Sequence, residues 1–386
     1  MRPMMPELET FLEPLYDRLR IAVIHGGDKD APDSVLYRTR NTRGTKTYQP
    51  VASDIADALR TLGFRNVLLL PEDMQLADRL RRENVHLAWL NSGGIQGYNP
   101  MAHLPSLMEM LGIPYVGHNP LSATVLDNKH TFKREVREAG LPTAPFLSWD
   151  MARGPLIPEI NTRFHAAFGD YRGPFIVKPI SGRASIHVTK VETVGDLQEA
   201  VAEIARLAQN VVLIERYLAG REFTIAVAGP IAARNRRLHR EPSAFAFSAC
   251  ERVLADDEAI FTSMDMKPIT GDRVRLVDPI LEPELDAQLR LLAQRTYLHF
   301  NLETLVRLDI RADEQENLHI LEANPKPDLI RPRDGKLSLV CAGLQAEGMD
   351  YEDLILSVLA GRLFYLAANR RESIEHIHAL SCLEAA

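Results

Sequence analysis

The residues with the clearest chemical potential lie in LVRLDIRADEQENLHILEANP, residues 305–325. In an extended strand successive side chains take opposite faces. Arg307 and Asp309 therefore share one face of residues 305–310, while Val306, Leu308 and Ile310 take the other. Within residues 318–324, Glu322 and Asn324 share a face. The connector, residues 313–317, is short and polar, which predicts a hairpin whose turn at Gln315 and Glu316 sets Asp309 opposite Glu322. Two carboxylates and an amide oxygen are hard donors of the kind Mg²⁺ takes when it shares its shell with substrate phosphates. An arginine beside them can stabilise charge on a transferring phosphoryl or acyl group. The competing reading is a solvent-facing hairpin with an ion pair. The exit Asn324-Pro325-Lys326-Pro327 stops strand pairing just past the acids and favours a site.

Two lysines extend the pattern. Lys178 ends the apolar strand PFIVKP and Lys129 stands at the helix start LDNKHTFK. Each is either a point charge suited to a phosphate or a solvated terminus. In VVLIERYL, residues 211–218, Glu215 follows four apolar residues, and Glu222 follows the turn at Gly220. A carboxylate such as Glu222 can accept hydrogen bonds from both hydroxyls of a ribose, while an extended ERYL backbone can address the edge of an adenine.

The elements that must position these groups are of two kinds. Strand signals at residues 20–24, 66–70 and 85–90 alternate with helical patterns at 48–62 and 74–83, which predicts a doubly wound parallel sheet ending near Gly117. Its loops at residues 25–33 and 91–100 follow strand ends, where ligands bind in such sheets, and neither contains GxGxxG. A helix is expected at 127–139, stopped by Gly140. From Pro174 the pieces PFIVKPI, SIHVTKV, VVLIERYL and EFTIAVAG read as antiparallel strands, with a helix at 194–207. Residues 232–267 are polar and irregular, as in a lid over a site, and helices at 283–299 and 349–368 flank the hairpin. The expected fold class is α/β (α+β): an N-terminal doubly wound parallel-sheet domain followed by a two-part unit of antiparallel sheets and helices.

The bulk composition narrows the functions. At 386 residues the chain exceeds what one core usually supports. A net charge of −7 argues against a broad nucleic-acid or anionic-membrane surface. No apolar run approaches the ~20 residues needed to span a bilayer. The first 20 residues carry four acids and no apolar h-region, so no secretory leader is expected. Cys250, Cys341 and Cys382 form no CxxC and read as reduced thiols in a cytoplasmic protein.

The order of these motifs, a lysine at a helix start, a strand-end lysine, E-x-x-L-x-G-x-E-F, R-x-D and E-x-N, resembles the ATP-grasp superfamily. More narrowly it resembles the D-alanine–D-alanine ligase group, through MLGIPYVGHNPLSATVLDNKHTFKREVREAGLPTAPF, PFIVKPISGRASIHVTKV, VLIERYLAGREFTIAVAG and LVRLDIRADEQENLHILEANPKP. A weaker match, KLSLVCAGLQAEGMDYEDL, continues to Leu354. The resemblance implies a Rossmann-like domain at 1–120, a central ATP-grasp subdomain at 121–214 and a C-terminal one at 215–386. It implies ATP with two Mg²⁺ ions, Mn²⁺ being an alternative. Lys129, Lys178 and Lys267 then face phosphates; Glu215, Arg216 and Leu218 lie on the adenine side; Glu222 meets the ribose. Asp309, Glu322 and Asn324 hold the metal. Arg307 stabilises a tetrahedral intermediate, and Ser185 is the hydroxyl kept in the phosphate-covering loop ISGRASIHV. Ser338 and Leu339 receive the acceptor's carboxylate. The implied reaction joins two small amino-acid-like substrates: a carboxylate takes the γ-phosphate to give an acyl phosphate, and an amine displaces phosphate. A cytoplasmic homodimer is also implied.

Departures from the family pattern gather at the substrate end. The first loop reads HGGDKDAPDSVLYRTRNTRGTKTY and lacks the family's glutamate and serine for the first D-alanine. Asn91-Ser92-Gly93-Gly94-Ile95-Gln96-Gly97-Tyr98 replaces a His-Gly…Gly-Glu-Asp-Gly stretch, and Pro268 replaces a mobile-loop tyrosine. Extra cations at Arg38, Arg40, Arg43, Arg331, Arg333 and Lys336 point to a substrate more negative than alanine, or solvate loops. Two other readings stay open: an ATP-grasp ligase with a thiol or hydroxyl acceptor, and a non-catalytic ATP-binding regulator. Retention of Arg307 with the three metal-site residues argues against the regulator.

Overall fold

The computed structural model describes residues 5–28, 47–97, 99–182, 185–254, 273–333 and 338–382. Strands β1 (Arg20–Gly26), β2 (Asn66–Glu72), β3 (Leu87–Asn91) and β4 (Tyr115–Val116) pair in parallel in the order β2-β1-β3-β4. The apolar run of β1 follows from burial on both faces: Ile21 and Val23 enter one core, Ala22 and Ile24 another. The strand order reverses between β1 and β3, so the carboxyl ends of these two strands flank the crevice where such sheets bind ligands. The expected alternation of strand and helix is present, with a helix at Gln49–Thr61.

The second sheet is antiparallel, ordered β5-β8-β6-β7 from β5 (Phe146–Trp149), β6 (Phe175–Pro179), β7 (Thr189–Val191) and β8 (Val212–Arg216). The helix Leu197–Ala208 lays Leu197, Val201 and Ile204 onto it. Two expectations shift here. Residues 185–188 form a turn rather than strand, with Ser185 and His187 at φ +53° and +59°. The expected helix at 127–139 is the second of a pair, Pro120–Asp127 and Lys129–Glu138, broken at Asn128, whose side chain caps the second by accepting from Thr131 N.

The third sheet carries the hairpin. It is ordered β14-β13-β9-β15-β16, from β9 (Glu222–Ala228), β13 (Cys250–Arg252), β14 (Val274–Leu276), β15 (Val306–Ala312) and β16 (Leu318–Asn324), with β12 (Phe245–Ala246) also on β9. Residues 232–254 are thus not the irregular excursion expected. They include a hairpin of β10 (Ile231–Arg234) and β11 (Arg237–Arg240), then β12 and β13. The turn residues Asn235 and Arg236 both have positive φ and donate their backbone N–H groups to Asp353. Residues 255–272, which include Lys267 and Pro268, lie outside the described residues.

The helix Tyr351–Asn369 is buried on nearly all sides and shares a core with the first sheet, the helix Gln49–Thr61 and β10. No described helix is long and apolar enough to cross a membrane. The first and last thirds are also tied by hydrogen bonds from Asn119 and to Tyr115 O that engage a buried ion pair of the last third. Glu303 Oε2 accepts from Arg362 Nη1 at 2.6 Å, and Oε1 from Asn119, Tyr365 and Arg370, while Arg362 Nε donates to Tyr115 O. Replacing Glu303 by alanine strands the Arg362 charge, which is expected to cost about 3–5 kcal/mol in chemical unfolding. A loss below about 1 kcal/mol, the range of an exposed pair, would show that the tie holds nothing.

Candidate active site

The hairpin register is the one the sequence predicts: Arg307 faces Asn324, and Asp309 faces Glu322. It is reached by a route that strict alternation does not supply. Glu322 and Asn324 have the same parity as Leu318 and Ile320, which are buried in the core. The register shifts after Asp309, leaving Leu321 as an extra residue on β16. That bulge reverses the phase, so Leu321 and Glu322 both face the cleft while Ala323 returns to the core. On β15, Arg307 and Asp309 share a face as expected, and the guanidinium donates from Nε and Nη2 to the two carboxylate oxygens at 2.8 and 3.0 Å.

Neighbouring strands add two arginines that the sequence reading missed. Arg252 on β13 and Arg311 on β15 both lie beside Glu222 of β9 in register. Arg252 donates to Glu222 at 2.7 Å and to Asp309 at 3.0 Å, and Arg311 donates to the other Glu222 oxygen at 3.3 Å. Arg311 continues the alternation of Arg307 and Asp309, so a signal existed for it. Arg252 had none, because its partners are remote in sequence. Gly220 is explained by close approach: its N–H donates to Ala312 O, and a Cβ there would stand 2.7 Å from the carbonyl oxygens of Ala312 and Asp313.

Opposite the hairpin, Lys129 at the start of its helix donates to Glu322 Oε2 at 3.1 Å and to Gly182 O at 3.2 Å. Lys133, one turn later and fully buried, reaches Glu215 Oε1 at 2.7 Å and Thr143. Lys178 ion-pairs with the other Glu215 oxygen. Glu215 is therefore a buried counter-ion for two lysines. Burial would raise its pKa, but the two ammonium groups outweigh this and hold it below the ordinary carboxylate value. Burial likewise opposes ionisation of Glu322, and Lys129 and Lys178 bring it down to about 2.

Lys129, Lys178, Ser185, Glu215, Arg216, Leu218, Glu222, Asp309 and Glu322 line one cleft of about 830 Å³, open solvent included. Ile176, Val188, Leu218 and Leu321 give it an apolar side. Arg307 and Asn324 stand on the same strand pair without lining it. Ser338 is fully buried, its hydroxyl accepting from Cys341 N, and Leu339 is buried beside it. Of the extra cations, the two in described residues are held by acids of the protein. Arg331 pairs with Glu352 at 2.6 Å and Arg333 with Asp54 at 3.1 Å, so each is taken by an acid on a packing helix. Arg38, Arg40, Arg43 and Lys336 lie outside the described residues.

A family model described as the D-ala D-ala ligase C-terminus matches residues 136–360. The D-alanine–D-alanine ligase B of Chromobacterium violaceum is 30% identical over 256 residues, 66% of this chain and 74% of its own. The chain belongs to the D-alanine–D-alanine ligase family. Among other relatives of this ATP-dependent ligase family, a D-alanine–D-alanine ligase of Pseudomonas putida (strain GB-1) is 28% identical over 88% of this chain and 92% of its own. An uncharacterised protein of Sinorhizobium fredii is 28% identical over 69% and 71%. The fold is that of the ATP-grasp ligases. A D-alanine–D-alanine ligase from Bacillus anthracis complexed with ATP superposes with TM-score 0.63 at 17% identity, over 92% of this chain and 99% of that one. A D-Ala:D-Ser ligase from Enterococcus faecalis gives 0.62 at 16%, over 89% and 99%.

The donor set on the family member's hairpin fits Mg²⁺. Among the described residues no three Asp, Glu, His or Cys side chains gather as a metal cage. Two facing carboxylates that line a cleft rich in cations, with the Asn324 amide on the same strand pair, suit an ion that completes its shell with phosphate oxygens. Three residues next to the departures from the family pattern also meet: Asn91 Nδ2 donates to Tyr48 O, and Lys326 Nζ lies 3.6 Å from the Tyr48 ring centroid. For Glu215, a folded pKa below the unfolded value of about 4.5 means its stabilisation is complete above that pH and is lost as pH falls through the folded pKa. The stability gap between the native chain and Glu215→Gln should therefore narrow in acid unfolding titrations. A gap independent of pH would refute the buried, ionised carboxylate.

Proposed function

We propose that this chain joins the carboxylate of one small amino-acid-like substrate to the amine of a second, converting ATP to ADP and phosphate. The observation that carries this is the single cleft in which Lys129, Lys178, Glu222, Asp309 and Glu322 converge, with Arg307 on the same face of β15. Lys129 and Lys178 hold the phosphates, joined by Lys267, and the Ser185 hydroxyl helps to cover them. Ile176, Val188, Leu218 and Leu321 form the slot for the base, with the backbone from Glu215 to Leu218 along its edge and Arg216 at the rim. A carboxylate offers about four acceptor positions. Arg252 and Arg311 occupy two on Glu222, which leaves two for the ribose hydroxyls.

Asp309, Glu322 and Asn324 hold two Mg²⁺ ions, or Mn²⁺, together with phosphate oxygens. Bound ATP with its metal supplies the phosphoryl group that activates the donor carboxylate as an acyl phosphate. The chain supplies positioning and charge. Arg307 uses two of its five N–H groups on Asp309 and turns others toward the oxyanion formed when the amine adds. Ser338 retains its hydroxyl proton as a donor for the acceptor's carboxylate, with Leu339 beside it. Tyr48, Asn91 and Lys326 set substrate identity at the junction of the first sheet and the hairpin exit. The enzyme acts in the cytoplasm as a homodimer. A thiol or hydroxyl acceptor and a non-catalytic regulator are not favoured by the relatives or by the cleft.

The test is ADP release over pairs of D- and L-amino acids and small dicarboxylates, with product mass read in parallel. ADP release that requires two amino acids and yields their condensation product is expected; ATP binding without substrate-dependent ADP would overturn the reading. Asp309→Asn and Glu322→Gln should each abolish turnover with the fold intact by circular dichroism, and near-native rates in either would remove the metal assignment. Arg307→Ala should keep ATP affinity and lose about 10²–10³ in kcat, the effect of removing one oxyanion donor. Unimpaired synthesis would remove its role.

A further inference from the structure

A second concave site lies against the helix that carries Lys129 and Lys133, lined by residues that the cleft does not share. It is a groove of about 720 Å³, open solvent included, bordered by His130, Arg134 and Arg137 of that helix, Ser148 of β5 and Arg163 of the next helix, Thr162–Phe168. No acidic side chain lines it. Among the described residues, none of the three arginines has a carboxylate partner. Arg137 lies over the Phe146 ring at 5.2 Å, and Arg163 reaches only the Ser148 carbonyl at a long 3.4 Å. His130 sits in the middle of this group, with its Nδ1 buried and without a hydrogen-bond partner and its Nε2 3.4 Å from Ser148 Oγ. Burial and the three nearby guanidinium charges lower the His130 pKa, so the ring is neutral at physiological pH.

Three unpaired guanidinium groups around one concavity repel one another, and a chain of net charge −7 has acids enough to pair them elsewhere. Their planar forks match the paired oxygens of a phosphate, and a neutral imidazole and a serine hydroxyl can each donate or accept beside them. We propose that this groove binds a small oligoanion of the phosphate class, at a site distinct from the ATP cleft. Arg134, Arg137 and Arg163 hold its charge, and His130 and Ser148 complete its hydrogen bonds. The assignment does not depend on the ligase reading, because the groove shares no residue with the cleft.

The experiment is isothermal titration of the full chain with sodium pyrophosphate in EDTA at fixed ionic strength. The double variant Arg134→Gln/Arg163→Gln is compared with Arg237→Gln/Arg240→Gln, which removes the same charge from an exposed hairpin elsewhere. All four arginines are exposed, so both variants should fold. The native chain should bind pyrophosphate, the groove variant should lose about tenfold or more in affinity for one site, and the control should match the native chain. Equal affinity in the two double variants would overturn the proposal, as would failure of the native chain to bind. Citrate distinguishes phosphate from carboxylate chemistry: binding about tenfold weaker than pyrophosphate is expected, and equal binding would contradict the phosphate assignment.

Discussion

Each carboxylate lining this cleft stands against a cation of the protein itself. Glu215 lies between Lys133 and Lys178, Glu222 between Arg252 and Arg311, Asp309 between Arg252 and Arg307, and Glu322 against Lys129. An isolated carboxylate taken out of water costs several kcal/mol, and a facing counter-charge offsets that cost where these strands and helices meet. Arg252 on β13 bridges Glu222 of β9 and Asp309 of β15. The result is a set of cations fixed by the protein's own acids before a nucleotide arrives, so that little reorganisation is left for the reaction itself.

The sequence made part of this network legible. Alternation on β15 placed Arg307 with Asp309, and the short polar connector fixed the register with β16. The bulge at Leu321 left no mark, because a backbone insertion of one residue changes no motif; it was needed to turn Glu322 away from the core face of Leu318 and Ile320. Lys133 carried a signal, since it is four residues from Lys129 on one helix and must share its face. Arg252 carried none. Its partners Glu222 and Asp309 are 30 and 57 residues away, joined only by strand pairing.

The same contrast holds for the elements. The helix Gln49–Thr61 was readable from its apolar stripe and the glycine that closes it. The β10–β11 hairpin was not, because its turn is Asn235-Arg236 rather than Asn-Gly, and its left-handed backbone is held by Asp353 from a helix more than a hundred residues later. Arg331 and Arg333 looked like substrate cations because their acids, Glu352 and Asp54, belong to helices at opposite ends of the chain. They tie those helices to the hairpin exit.

The central claim is that a substrate carboxylate is activated by direct transfer of phosphate. It is tested by turning over a donor amino acid labelled with ¹⁸O in its carboxylate and reading the released phosphate by ³¹P NMR. One labelled oxygen should pass into phosphate at each turnover, because the oxygen that takes the phosphoryl group leaves with it. Phosphate formed without label while condensed product accumulates would contradict the account.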